Sequence, residues 1–269
     1  MNARSLLEDV IVIAEDAGQA ILEIYNNQKY KHWHKEDSTP LTTADLASHE
    51  LIVERLSELT PDFPILSEES LDIDVEQVRE WSTYWLVDPL DGTQDFINRT
   101  DDFSVVIALM ENQIPILGVI VEPVTQNIYS AVKNSGAYFK QGGKESRVLS
   151  LNKKTWQDND AIEVVISSRE SKESYLKHLN SKYQYEFSSK GSCSLKCCYV
   201  AEGKADCYVR AGPTSIWDTA AAQCIIEEVG GHLLTFSHQK LEYRLEDTWL
   251  NPPFYVIGTS DLDWKNIFS

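Results

Sequence analysis

The chain has 269 residues, 42 acidic against 24 basic side chains, a formal net charge of −18 and a pI near 4.7. So acidic a chain lacks the basic face that holds polymeric nucleic acid, and it has no apolar run approaching the ~20 residues that span a bilayer. Its 42% hydrophobic content, over a length sufficient for one large domain or two closely packed ones, predicts a soluble and well-packed globule.

Met1, Asn2, Ala3 and Arg4 lead straight into an amphipathic segment carrying Glu8, Asp9, Glu15 and Asp16, unlike a secretory leader, so a cytoplasmic location is expected. Ser5 and Glu8 have the spacing of a capping box opening a helix over 5–25. Leu6, Leu7, Val10, Ile13, Ala14, Ala17, Ile21, Ile24 and Tyr25 fall on one face of that helix. A polar loop over 29–40, with Lys35, Glu36, Asp37 and Ser38, precedes a second helix over 43–59. Leu46, Ile52, Val53, Leu56 and Leu59 form its inner stripe, and Asp45 sits in its first turn, near the positive end of the helix dipole.

Short strands follow. One over 63–67 delivers Glu68 and Glu69 at its end, and one over 84–87 delivers Asp88. Thr93 and Gln94 begin a short helix to residue 97. Strands over 103–110, 116–121 and 128–133 read as an antiparallel meander, with Asn112-Gln113 as a turn. From residue 150 strands alternate with helices: a strand over 163–167, helices over 171–179 and 194–202, a strand over 205–210 and a helix over 218–229. With no repeat, low-complexity tract or linker, two α/β subdomains sharing a cleft are expected, 1–150 carrying most metal ligands and 151–269 carrying Asp218 and the substrate pocket. The five cysteines, Cys193, Cys197, Cys198, Cys207 and Cys224, are odd in number and lack Cys-x-x-Cys spacing, which predicts reduced thiols used as small core hydrophobes rather than zinc ligands.

The chemistry concentrates in Asp88-Pro89-Leu90-Asp91-Gly92-Thr93. Two aspartates three residues apart at a strand end suit a hard cation such as Mg²⁺, and the glycine admits a phosphate to the backbone of a helix N-terminus. Taken singly, each feature has an ordinary use. Asp-Pro and Asp-Gly are turn dipeptides, paired glutamates are usually solvated, and Asp218 can be an N-cap. Together, Glu68-Glu69, Asp45, the aspartate pair and Trp217-Asp218-Thr219-Ala220-Ala221 predict a metal-dependent phosphatase, because clustered carboxylates repel an anionic substrate until divalent cations bridge the two. Lys190, Lys196 and Arg210, near Ser192 and Ser194, read as a local basic pocket in an acidic chain.

Asp88 to Thr93, Trp217 to Ala221, Ser67-Glu68-Glu69 and Pro40-Leu41-Thr42-Thr43-Ala44-Asp45 resemble, in order and spacing over nearly the whole chain, the signatures of the inositol monophosphatase superfamily. Tyr84 to Asp88, Pro115-Ile116-Leu117-Gly118-Val119, Ser194-Leu195-Lys196, the run from Val200 to Asp206 leading to Arg210 and Gly212-Pro213-Thr214, and Asn251-Pro252 are similar to its CysQ-type 3′(2′),5′-bisphosphate nucleotidase branch. Gly191-Ser192-Cys193-Ser194 is one residue longer than that branch's Gly-Ser-Ser, leaving open which serine faces substrate.

The resemblance implies a layered αβαβα sandwich of the sugar/inositol phosphatase type. It implies Glu68, Asp88, the Leu90 carbonyl, Asp91 and Asp218 as ligands of two or three Mg²⁺ ions. Glu68 and Thr93, with Asp45 behind them, would orient and deprotonate a metal-activated water that attacks the phosphate directly. Substrate contacts would come from Glu68, Leu90, Asp91, Gly92, Thr93, Ser194, Lys196, Arg210 and Asp218. The implied reaction is hydrolysis of adenosine 3′,5′-bisphosphate (PAP) to AMP and phosphate in sulfate assimilation. A small nucleotide bisphosphate is the implied partner, the protein being a monomer or homodimer, with membrane contact at most peripheral. An inositol monophosphate or sugar-bisphosphate phosphatase is the main alternative, since the motifs build the metal site and not the pocket; the basic cluster argues against it. The intact carboxylates argue against a catalytically silent anion-binding regulator.

Overall fold

The computed structural model describes residues 2–27, 30–35, 39–70, 73, 75–151, 156–157, 160–243, 248–258 and 261–268. Met1, Lys29, Glu36, Asp37 and Ser38, named above, lie outside the described residues. Helix α1 (Ala3–Asn27) starts earlier than its Ser5-Glu8 spacing predicts, because Asn2 provides the cap. Its Oδ1 accepts the Arg4 N–H at 3.1 Å, and its carbonyl takes the Ser5 hydroxyl at 2.7 Å. A hairpin of β1 (His32–His34) and β2 (Pro40–Thr42) leads into α2 (Thr43–Leu59), which has the expected limits.

The chain then runs through β3 (Ile65–Ser67), α3 (Val75–Arg79), β4 (Thr83–Asp91), α4 (Thr93–Asn98), β5 (Ser104–Glu111), β6 (Ile114–Glu122), β7 (Asn127–Val132), β8 (Ala137–Gln141) and β9 (Arg147–Leu149). These seven strands form one sheet in chain order. It is antiparallel throughout except for the parallel β3–β4 pair. The meander is as expected, and Asn112 and Gln113 turn it with φ of 49° and 65°. β8 and β9, not anticipated, are short strands that extend it.

The second half contains β10 (Ile162–Ile166), α5 (Lys172–Leu176), β11 (Tyr185–Ser189), α6 (Cys193–Ala201), β12 (Cys207–Arg210), a 3₁₀ turn (Ile216–Asp218), α7 (Ala220–Glu228), β13 (His232–Thr235), β14 (Phe254–Ile257) and α8 (Trp264–Ile267). Its five strands are ordered β11-β10-β12-β14-β13, the first three parallel and the last two pairing antiparallel.

Side-chain alternation sorts these elements into layers. Trp85, Val87, Val105, Ile107 and Val119 face α1 and α2, whereas Tyr84, Leu86, Val106, Ala108 and Ile120 face the other way, toward α6 and α7. Val165, Tyr208, Phe254 and Val256 of the second sheet meet α6 and α7 from their far side. Val164, Val209, Tyr255 and Ile257 face outward, against Tyr175 and Leu179 near α5 and against Trp264 and Ile267 of α8. The order is therefore helix, sheet, helix, sheet, helix. All five cysteines are buried and unpaired within these layers. No helix among the described residues is long and apolar enough to cross a membrane.

The middle helix layer sits very close to the first sheet. A Cβ built on Gly118 of β6 would lie 2.4 Å from the Ala221 carbonyl oxygen and 2.9 Å from its Cα. Only a glycine opposite the small first turn of α7 permits this, which explains both the Ala-rich start of that helix and Gly118. Gly118→Ala is expected to destabilise by about 1–3 kcal/mol through overpacking. Gly143→Ala, whose Cβ meets nothing within 4 Å, should stay within about 0.5 kcal/mol. Urea unfolding of the two variants checks the contrast.

Candidate active site

Parallel pairing sets Ser67 opposite Val87, and the Glu68 N–H donates to the Val87 carbonyl at 3.0 Å. Glu68 therefore emerges beside Asp88. The β4–β5 register breaks between Asp88 and Asp91, where Pro89 has no N–H to give to the ladder. In the break, the Leu90 N–H turns back to Asp88 Oδ1 at 3.0 Å. Gly92 follows at φ 98°, and a Cβ there would lie 2.9 Å from the Asp102 carbonyl oxygen, so glycine is required.

Asp218 arrives from the opposite side, at the end of the 3₁₀ turn, where the Ser215 N–H donates to its Oδ2 at 2.9 Å. The buried Asn251 amide pins that turn by donating to the Ser215 carbonyl at 2.7 Å and to Thr219 Oγ1 at 3.0 Å. Carboxylate oxygens of Glu68, Asp88 and Asp218 all lie within 4.8 Å of one another. Burial pushes the Asp88 carboxyl well above the ordinary range, and the charges of Glu68, Asp91 and Asp218 push it further. Burial does the same to Asp218, reinforced by Asp91. Three converging carboxylates that destabilise one another's charge form an all-oxygen donor set, which fits a hard divalent cation.

Asp91 borders this cluster but is held elsewhere. Its Oδ2 accepts from Ser192 Oγ at 2.5 Å and from the Ser194 N–H at 2.8 Å, and its Oδ1 from the Cys193 N–H at 3.2 Å. The Thr93 hydroxyl donates to Asp45 Oδ1 at 2.9 Å and lies 3.2 Å from the Leu90 carbonyl. Asp45 Oδ2 takes the Thr42 N–H at 2.7 Å and the Thr42 hydroxyl at 2.5 Å, closing a capping box at the start of α2. Burial raises the Asp45 carboxyl to about 6, although the Thr42 and Thr93 hydrogen bonds pull the other way. Glu69 is raised to about 7 by burial and by Glu68, with Lys35 Nζ 2.8 Å from both glutamates opposing the shift.

The remaining wall of the cleft carries Ser167, Arg169, Ser192, Lys196, Tyr208 and Arg210. Here the expectations need correction. Ser194 is fully buried, its hydroxyl 2.8 Å from Ser104 Oγ, so Ser192 and not Ser194 lines the cleft. The reason is the grip of Asp91 on the first turn of α6, which draws the Ser194 N–H inward. Lys190 leaves the expected basic pocket altogether: its ammonium is 2.6 Å from both Asp102 and Glu122. Lys196 and Arg210 do line the cleft. The Lys196 ammonium donates to the Ser192 carbonyl and, at 3.3 Å, to that of Lys190. Arg210 bonds Glu170 at 2.9 Å and the Pro213 carbonyl at 2.8 Å. Thr42, Lys35 and Arg169 were missed; only Thr42, three residues before Asp45 at a helix start, carried a sequence signal.

The chain matches the model of the inositol monophosphatase family over residues 3–260. It is 40% identical to the 3′(2′),5′-bisphosphate nucleotidase CysQ of Aggregatibacter actinomycetemcomitans, covering 98% of this chain and 96% of the relative. Among solved structures, CysQ from Bacteroides thetaiotaomicron superposes with a TM-score of 0.79 at 39% identity, covering 92% of this chain and 95% of that one. An inositol monophosphatase from Anabaena superposes with a TM-score of 0.73 at 23% identity over 97% of this chain and 93% of its own, a likeness of fold alone.

Removing one of three mutually repelling carboxylates should relieve the strain they impose when no cation is bound. Asp218→Asn is expected to melt higher than the parent protein in chelator, by about 2–4 °C per kcal/mol relieved. It should also gain less thermal stability from added Mg²⁺, and thermal unfolding with and without the cation measures both effects.

Proposed function

The chain belongs to the inositol monophosphatase family, and from that premise we propose that it is a Mg²⁺-dependent 3′(2′),5′-bisphosphate nucleotidase hydrolysing the 3′-phosphate of adenosine 3′,5′-bisphosphate to AMP and phosphate. Likeness along nearly the full length of nucleotidases of that name supports the assignment. The observation that carries it is the pairing, in one cleft, of the Glu68-Asp88-Asp218 cluster with the cationic wall of Lys196 and Arg210. The carboxylates suit the reacting phosphate through cations, and the cations suit a second anionic group.

Glu68, Asp88 and Asp218, with Asp91 and the Leu90 carbonyl beside them, would hold two or three Mg²⁺ ions. Bound there, the ions supply the positive charge that screens the phosphate and stabilises an in-line displacement. The chain's own residues then handle the proton. Thr93 Oγ1 gives its hydrogen toward Asp45 Oδ1 and keeps its lone pairs to accept one from an attacking water. As the water oxygen bonds phosphorus and the bond to the ribose O3′ breaks, the water's proton passes through Thr93 toward Asp45. Asp45, raised to about 6, suits that task near neutral pH. The leaving O3′ takes its proton from solvent. Thr42 fixes the second oxygen of Asp45, and Gly92 and Thr93 admit the phosphate to the end of β4.

Thr93→Val keeps the shape of the side chain and removes the relay hydroxyl, so kcat should fall about 10²-fold or more while KM moves little in steady-state assays. In a phosphate-release panel with Mg²⁺, kcat/KM should be highest for adenosine 3′,5′-bisphosphate, above inositol 1-phosphate and fructose 1,6-bisphosphate. A preference for either of the others reassigns the substrate. Single turnover in ¹⁸O-water should label the released phosphate, and a trapped phosphoenzyme would refute direct attack.

A further inference from the structure

We propose that Arg169 is a specificity-determining residue that binds the non-reacting phosphate of the substrate, an inference that rests on the bisphosphate assignment above. The cleft presents carboxylates on its metal-binding side, so a second phosphate is tolerated only against cations. All three cations on the opposite wall lend it positive charge, but two of them already hold protein acceptors. Lys196 is only 3% exposed and spends its ammonium on the Ser192 and Lys190 carbonyls. Arg210 is tied to the Glu170 carboxylate and the Pro213 carbonyl.

Arg169 differs from both. Its side chain is 49% exposed, and its ionic contact, with Asp95 Oδ2, is 3.6 Å long, beyond hydrogen-bonding reach. Asp95 Oδ2 is itself buried without a hydrogen-bond partner. The guanidinium is thus parked near a carboxylate rather than locked to it. The guanidinium end of the pair is half in solvent and makes no hydrogen bond to Asp95, so its fork keeps donors available for a second anion. A phosphate offers two oxygens to the planar fork, which an arginine engages bidentately and a lysine cannot.

The backbone that carries Arg169 is held firmly. The Ser167 N–H is bonded to the Tyr175 hydroxyl at 3.0 Å, the Arg169 N–H to Ser167 Oγ at 3.3 Å and the Glu170 N–H to the Ser167 carbonyl at 3.2 Å. Glu170 in turn grips Arg210, and both arginines line the same wall. Asp95 belongs to α4, two residues beyond Thr93, so the parked contact ties Arg169 to the helix that begins at the reaction centre.

The test compares the parent enzyme, Arg169→Ala and Arg169→Lys, all with Mg²⁺, on adenosine 3′,5′-bisphosphate and on adenosine 3′-monophosphate, which lacks the second phosphate. Arg169→Ala should raise KM for the bisphosphate about tenfold more than for the monophosphate, with the effect on KM rather than kcat, and Arg169→Lys should recover part of the loss. Calorimetry should show AMP binding weakened more than adenosine binding. Equal changes for the two substrates, or full retention of bisphosphate KM in Arg169→Ala, overturns the role of Arg169. Failure of the parent enzyme to hydrolyse the bisphosphate overturns the substrate assignment instead, and the AMP-against-adenosine comparison still decides the role of Arg169.

Discussion

Two backbone N–H groups and one hydroxyl from the start of α6 converge on the carboxylate of Asp91, and the relation between the two sheets depends on that contact. Asp91 closes β4 of the first sheet; α6 packs between the sheets. A negative side chain at a helix N-terminus satisfies orphan donors and meets the positive end of the dipole. Here that general rule joins residues more than a hundred positions apart, as the 101-residue separation of Ser192 and Asp91 shows. One residue thereby borders the carboxylate cluster and anchors the helix that carries Lys196.

The contact also sets a constraint on the serines. Ser192 must sit at φ 52° to bring its hydroxyl to Asp91 while its Oγ also caps the Leu195 N–H at 3.1 Å. That conformation is costly for a residue with a Cβ, and it is repaid by hydrogen bonds to Asp91 and to the helix. Gly191 is as tightly specified, since a Cβ there would lie 2.4 Å from Asp102 Cβ and 2.7 Å from Asp95 Cγ. Both constraints fall at the start of α6, with Ser194 turned into the interior.

How much of this was legible follows from the range of each interaction. Asp88 and Asp91 stand three residues apart at one strand end and Asp45 in the first turn of a helix, so local spacing exposed them, whereas the Leu90 carbonyl entered through the family resemblance and Thr42 was passed over despite lying three residues before Asp45. The meander was readable because β5, β6 and β7 alternate between two buried faces and are joined by short turns. β11, β13 and β14 were not, being short and paired over long sequence separations. Lys190 misled for the same reason. Its neighbours in sequence made it look like part of a basic pocket, whereas its partners, Asp102 and Glu122, lie 88 and 68 residues away. Nothing local to Arg169 announces a cleft.

The reacting and recognising sides of the cleft thus rest on different kinds of support. Asp88, Asp218 and Asp45 are each held by a backbone N–H, from Leu90, Ser215 and Thr42 respectively. Such anchors survive changes in neighbouring side chains, because every residue but proline supplies the same donor. On the cationic wall the two guanidinium groups depend on side-chain partners: Glu170 grips Arg210, which also holds the Pro213 carbonyl, and Asp95 stands off Arg169 at 3.6 Å, while Lys196 is held by backbone carbonyls. One substitution on that wall can redirect a guanidinium without disturbing the carboxylates. The fold therefore allows substrate preference to change while the hydrolytic chemistry stays in place, and this separation explains why motifs that identify the reaction say so little about the molecule it acts on.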